Sequence, residues 1–289
     1  MSISAQLGEE RRVDIPAGAI SYRERGDGPP IVFVHGVAVN GDLWRRTVPP
    51  LAVGHRCITP DLPWGSHSLP LHPDTDLSLP GMARITADFL EALDLDAVTI
   101  VANDTGGAVA QMLVGRHPDR IGCLVLTSCD AFEKFPPTPQ RYLQVMAHSR
   151  LLTWIVAVTA KFKSVQRLPT AYGFVTSRPM PEEVMRSYTG PIRRNAGVRR
   201  DFRRMLRAVD TKYTFEAASQ LIGFDQPALV LWAENDKIFP REHGRRLAQL
   251  LPRGEFGLIP RSRTFIPEDQ PELLVAAIEE FLTRQTGTE

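Results

Sequence analysis

The segment Val101-Ala102-Asn103-Asp104-Thr105-Gly106-Gly107-Ala108 sets one carboxylate among small residues. A chain that turns sharply from a strand into a helix needs small neighbours on both sides of the apex, because the strained backbone packs against both elements. Ala102, Gly106 and Gly107 supply them, and Asp104 takes the apex. A side chain there stands over the C-terminal edge of a sheet, at the start of a helix whose amides favour negative charge. Asp104 is therefore expected to be ionised and exposed to a pocket. A carboxylate in that state can attack carbon without a base to activate it. The plainer alternative is an aspartate that only caps the helix. Upstream, Val34-His35-Gly36-Val37 ends another apolar run, and its loop can bring the amide of Val37 beside that of Thr105 as an oxyanion hole.

The elements that must position these groups are legible as four short apolar, β-branched runs, at 31–34, 97–101, 121–126 and 228–232. Each is continuous rather than alternating, which suits strands covered on both faces. Segments of helical period lie between them, such as Arg84 to Leu93 and Gly106 to Arg116, the latter stopped at Pro118. That alternation predicts a mostly parallel sheet flanked by helices. Polar-apolar alternation from Ala19 to Arg23, before Gly-Asp-Gly-Pro-Pro, predicts an antiparallel edge strand. From about Ala131 to Ser219 the strand signals vanish, prolines cluster and helical pattern takes over. The α/β rhythm returns at Pro227 and ends in an amphipathic helix from Gln270 to Thr283. The expected division is an α/β core at 1–130 and 220–289, with an α-helical cap inserted at 131–219.

The 289 residues are 43% hydrophobic and 23% charged with a net charge of +1, which fits a folded globular protein. This balance gives no overall electrostatic reason to expect nucleic acid or an anionic membrane as partner, so a small-molecule substrate is the expectation. The N-terminal stretch MSISAQLGEERRVDIP does not read as a secretory signal, and the expected compartment is the cytoplasm. Cys57, Cys123 and Cys129 show no metal-like spacing and read as structural; no metal or cofactor is implied. The apolar run Leu151 to Ala160 is about half of the roughly 20 residues that span a bilayer, and is expected to be a buried or groove-lining helix.

Over nearly its whole length the chain resembles the α/β-hydrolase superfamily: VHG at 34–36, DLPWGSHS at 61–68, the turn at 102–107, AENDKIFP at 233–240 and TFIPEDQPE at 264–272. An aspartate at the apex is similar to haloalkane dehalogenases and epoxide hydrolases, whose carboxylate attacks carbon to give an ester that histidine-activated water cleaves. The resemblance implies cofactor-free hydrolysis of a small, largely apolar haloalkane, epoxide or ester by Asp104. It places Asp236 or Asp130 as the acid partner, and His35, Trp64 and Thr264 around the substrate pocket. Three carboxylates near one pocket imply that at least one has a raised pKa. For Asp236, a helix cap before Pro240 is the plainer reading.

The departures from that pattern are specific. Thr105 and Val37 stand where dehalogenases hold the halide with an indole and an amide, and His35-Gly36-Val37-Ala38 lacks the proline of epoxide hydrolases. Tyr142, Tyr172 and Tyr188 are candidates for a cap tyrosine pair. Thr264 occupies the place of the catalytic histidine, and no histidine follows His243. Threonine is no base near neutral pH, so an ester on Asp104 would be stranded unless another residue serves. His67, in the loop after the 56–60 strand, is the candidate; His148 in the cap is a second, His35 reads as structural, and His55, His72, His117 and His243 as surface residues. Arg193, Arg194, Arg199, Arg200, Arg203, Arg204 and Arg207 form a basic face, expected to be solvated and paired with nearby acids, with an anionic substrate as the alternative. Two other functions stay open: a lyase, isomerase or cyclase using Asp104 as acid or base, or a silent ligand-binding protein.

Overall fold

The computed structural model describes residues 3–286. Its strands are β1 (Glu9–Ile15), β2 (Gly18–Arg25), β3 (Pro30–Val34), β4 (Arg56–Pro60), β5 (Val98–Asp104), β6 (Ile121–Cys129), β7 (Ala228–Ala233) and β8 (Gly254–Ile259). They form one eight-stranded sheet in the spatial order β1-β2-β4-β3-β5-β6-β7-β8. From β4 to β8 every pairing is parallel. The Ala19–Arg23 segment is antiparallel as expected but is not the edge: β1, whose sequence EERRVDI is mostly charged and exposed, covers it. A charged outermost strand discourages pairing with other chains.

The continuous apolar strands are buried from both sides. Val32 and Val34 point into one core with Phe89, Met112 and Leu113, whereas Ile31 and Phe33 point into the other with Trp44, Ile278 and Phe281. The helices Leu79–Ala92 and Thr105–Arg116 cover the first face, and the C-terminal helix Pro271–Thr286 the second. Strand order reverses about β3, which has β4 on one side and β5 on the other, so the loops after β3 and β5 diverge and open a crevice at the carboxyl edge. Asp104 ends β5 at that crevice.

Between Cys129 and Ala228 the described chain is helical and forms no strand. The helices Arg150–Thr159, Glu182–Arg194 and Ala196–Ala208 pack together over the carboxyl edge. The next one, Thr211–Gln220, lies instead against Thr105–Arg116 on the core, tied by Arg116 to Glu216. Of this helical segment, Val209 is the last residue that lines the pocket. The thiols of Cys57 and Cys129 are buried and unpaired. Among the described residues no helix is long and apolar enough to cross a membrane.

Candidate active site

Asp104 is the apex of the turn, with φ 56° and ψ −133°, a conformation that is costly for a residue with a side chain. The turn exists because its neighbours lack Cβ atoms. A Cβ on Gly106 would collide with the carbonyls of Val34 and His35, and one on Gly36 would collide with the Asp104 carboxyl group itself. The amides of Thr105 and Val37, the expected oxyanion-hole donors, face the Asp104 carboxyl itself. Burial, and then the charge of Asp236, push the Asp104 pKa up to about 7, while the two amides pull the other way. Burial thus works against the ionised form that the position at a helix start favours.

The loop after β3 is held from below. His35 Nδ1 lies 2.8 Å from the Gly36 carbonyl and Nε2 accepts the Leu62 amide at 2.9 Å, so both ring nitrogens are committed and the neutral Nδ1–H tautomer is fixed. Burial first of all holds its pKa down at about 4. Trp64 packs edge-on against this imidazole at 5.1 Å, and its carbonyl accepts the Ala38 amide at 2.9 Å. His35 and Trp64, together with Thr264, were expected around the substrate; all three are fully buried beneath the floor of the cavity and do not line it.

The other carboxylates converge on Asp104. Asp236 Oδ1 accepts Thr264 Oγ1 at 2.9 Å and the amides of Ile238 and Phe239 at 2.8 and 2.9 Å. The cap-like turn and the site position are therefore one arrangement. Burial raises the pKa of Asp236 against these donors. Asp130 Oδ2 accepts Thr105 Oγ1 at 2.8 Å, while burial and then Asp104 raise its pKa well above the usual carboxylate range. Its Oδ1 is buried with no protein partner. Thr264 is anchored by its carbonyl, which accepts Asn103 Nδ2 at 2.8 Å.

A cavity of about 440 Å³ opens above Asp104, Thr105 and Asp130, with apolar walls from Phe135, Leu143, Met146, Phe202 and Met205. Tyr142, Tyr172 and Tyr188 line it, but their hydroxyls donate elsewhere: to the Thr170 carbonyl at 3.3 Å, the Ala38 carbonyl at 2.6 Å and Glu268 at 3.3 Å. Glu268 is itself clamped by Arg45. No tyrosine pair presents two free hydroxyls to a substrate oxygen.

Among the described residues no imidazole lines the cavity. His67, the expected replacement base, is buried with Nδ1 accepting the Gly65 amide and Nε2 facing Asp201 of the cap, both at 3.4 Å. His148 is exposed and bonded to the Gln144 carbonyl. His243, expected at the surface, is buried edge-on against Phe132 with Nε2 at 3.1 Å from Glu133. The basic face is paired only in part: Arg200 bonds Asp201, Arg199 and Arg204 bond backbone carbonyls, and Arg203 and Arg207 form no ion pair among the described residues. The helix expected to be buried or groove-lining, Leu151 to Ala160, supplies Ile155, Val156, Ala157 and Ala160 to the cavity wall, whereas the wall from Phe202, Met205 and Leu206 was missed, its apolar spacing on one helix face being the available signal.

With this geometry in view, a family model for the α/β hydrolase fold matches residues 29–271. A cis-3-alkyl-4-alkyloxetan-2-one decarboxylase of Xanthomonas campestris pv. campestris is 29% identical over 95% of this chain and 96% of its own. Haloalkane dehalogenase 2 of Mycobacterium tuberculosis is 26% identical over 94% of each chain. Among solved structures, a haloalkane dehalogenase from Bradyrhizobium elkani superimposes with a TM-score of 0.80 at 18% identity, covering 97% of this chain and 99% of that one. An α/β hydrolase fold protein from Burkholderia ambifaria gives 0.78 at 24% identity, covering 94% and 97%.

Proposed function

The chain belongs to the α/β hydrolase fold family, and from that premise we propose that it opens a strained, alkyl-substituted four-membered lactone by attack of Asp104 and releases an alkene and carbon dioxide. The observation that carries this reading is that no imidazole lines the cavity while Thr264 occupies the hydrogen bond to Asp236. Hydrolysis of an ester on Asp104 needs a base to activate water. Decarboxylative fragmentation needs none.

The steps balance without water, redox change or net proton transfer. Ionised Asp104 attacks ring carbon C4 from behind, the C4–O bond breaks, and its electrons leave a free carboxylate on C3. The C3–carboxylate bond then breaks, its electrons form the C3=C4 double bond, the C4–O bond to Asp104 breaks, and Asp104 recovers its charge. Backside attack leaves the new ester bond antiperiplanar to the departing carboxylate, so a cis-substituted ring gives a cis alkene. Asp130, whose pKa burial raises and whose Oδ1 has no protein partner, can in its protonated form donate a hydrogen bond to the ring oxygen as that oxygen gains charge, and keep its proton. The apolar walls suit alkyl substituents and keep the nucleophile poorly hydrated. The decarboxylase relative acts on a ring of this class by its name.

The second reading, hydrolysis of a haloalkane or ester, draws on the dehalogenase relative. A dialkyl 2-oxetanone and a haloalkane, each incubated in ¹⁸O-water, separate the two. Fragmentation yields cis alkene and carbon dioxide with no label in the Asp104 peptide. Hydroxy acid or alcohol, with ¹⁸O entering Asp104, assigns the hydrolase and overturns the lyase.

A further inference from the structure

The helix Arg150–Thr159 has two apolar sides. Thr153 and Ala157 are buried, and Val156 and Ala160 line the cavity, but Leu151, Trp154 and Ile155, related by helical spacing, are exposed at 63%, 47% and 38%. Of the thirteen large apolar side chains exposed among the described residues, eight lie between Tyr142 and Leu168. Scattered apolar residues on a surface are ordinary, whereas this concentration is not.

The charge around them is one-sided. From Lys134 to Pro181 the sequence holds Lys134, Arg141, Arg150, Lys161, Lys163, Arg167 and Arg178 and no Asp or Glu. Lys163 pairs with Glu182; Arg150, Lys161 and Arg167 form no ion pair among the described residues. Arg150 sits close to Arg203, whose pKa is lowered first by burial and then by Arg150, Arg207, Arg199 and Arg200. A cleft beside the main cavity, sharing Gln166 and Tyr172 with it, adds Arg167, Arg178 and Arg263, the last bonded to the Gly173 and Thr176 carbonyls, against the single carboxylate of Glu182, which pairs with Lys163. The overall charge of +1 conceals this asymmetry.

We propose that the cap docks on an anionic lipid bilayer, with Leu151, Trp154 and Phe162 entering the interface and the surrounding Lys and Arg side chains meeting lipid phosphates. Aromatic and aliphatic residues flanked by cations, without carboxylates, are the composition of a helix that lies in the headgroup plane. The same helix walls the cavity, and Ile155 is both exposed and part of the lining. An alkyl substrate partitioned in the bilayer would therefore reach Asp104 along a continuous apolar path. Docking is independent of the chemistry at Asp104, so either proposal can fail alone.

The test is flotation of the full protein with vesicles of phosphatidylcholine alone or with one-third phosphatidylglycerol. Trp44, Trp64 and Trp232 are fully buried, so a blue shift of tryptophan emission on docking reports Trp154. The expected result is flotation with the anionic vesicles, a blue shift, and weakening in molar salt, where the screening length falls to about 3 Å. Trp154→Phe should remove the shift and keep flotation. Leu151→Glu with Trp154→Glu should abolish flotation, and Arg150→Glu with Lys161→Glu and Arg167→Glu should weaken it more than about tenfold. No flotation, flotation indifferent to these variants, or a lipid-free blue shift that grows with protein concentration alongside a dimeric mass, which would assign the face to a second copy, overturns the proposal.

Discussion

Thr264 Oγ1 donates to Asp236 Oδ1 at 2.9 Å, filling with a hydroxyl the place from which an orienting carboxylate would hold an imidazole beside Asp104. The hydrogen bond is satisfied and the base is missing. Thr264→His should therefore open a hydrolytic branch. The larger ring must project past Phe265 toward the cavity, at an overpacking cost of about 1–3 kcal/mol. A positioned base is worth about 10²- to 10⁴-fold on water attack, enough to divert the ester on Asp104 to hydroxy acid. The measurement is the ratio of alkene to hydroxy acid; a folded variant with the wild-type ratio would refute the argument.

Asp104→Asn should reduce turnover on the order of 10⁴-fold or more, since asparagine cannot form or release the ester. It should also stabilise the fold in a pH-dependent way. The folded pKa of Asp104 is raised from 3.8 to about 7. Well below pH 3.8 the group is neutral in both states and costs nothing. Between those values the unfolded chain ionises while the folded one resists, so stability falls, and above pH 7 the loss levels off at a few kcal/mol. The variant should come closest to wild type in melting temperature well below pH 3.8 and exceed it at pH 8.

The same group sets the pH dependence of activity. If ionised Asp104 is the nucleophile, kcat/KM rises with pH through about 7 and then levels. Asp236→Asn removes the second-largest upward influence on that pKa and should move the midpoint lower, while burial, the largest, keeps it above 3.8. A midpoint that stays put or rises would show that Asp236 does not act on Asp104 through its charge.

The parallel strands and the Asp104 turn were legible because each rests on local pattern: apolar runs for strands buried on both faces, small residues around an apex. The order of β1 and β2 was not, since a charged strand such as Glu9–Ile15 carries no apolar signal and is defined only by its pairing with β2. The expected roles of Asp130 and Asp236 came from chain position and resemblance, and so did that of Thr264, which does not line the cavity. Whether an imidazole faces the cavity depends on side-chain partners distant in sequence: His67 finds Asp201, 134 residues away, and His243 finds Glu133, 110 away. No spacing rule reports such pairs. The pKa of Asp104 likewise depends on burial and on Asp236, far away in sequence, and a sequence motif does not contain that.

Those distant pairs make the last prediction. Asp201 is fully buried in the cap; its Oδ2 accepts the Leu71 amide at 2.9 Å and faces His67, and its Oδ1 accepts Arg200 Nε at 2.8 Å. Burial alone would raise its pKa, but His67, the Leu71 amide and Arg200 outweigh it, and the pKa is lowered. Its stabilising contribution is therefore present above the unfolded value of about 3.8 and is lost as pH falls through the lower folded one. Asp201→Ala should cost about 1–3 kcal/mol by leaving the Leu71 amide unpaired. His67→Ala should loosen the same clamp, which seats Phe202 and Met205 over the cavity, and so raise KM while leaving kcat within about tenfold. A histidine acting as the base would behave differently, because its removal would trap the ester. Mass spectrometry of His67→Ala after incubation with substrate decides: a bare Asp104 peptide supports the clamp, and a stable adduct with abolished turnover makes His67 the catalytic base.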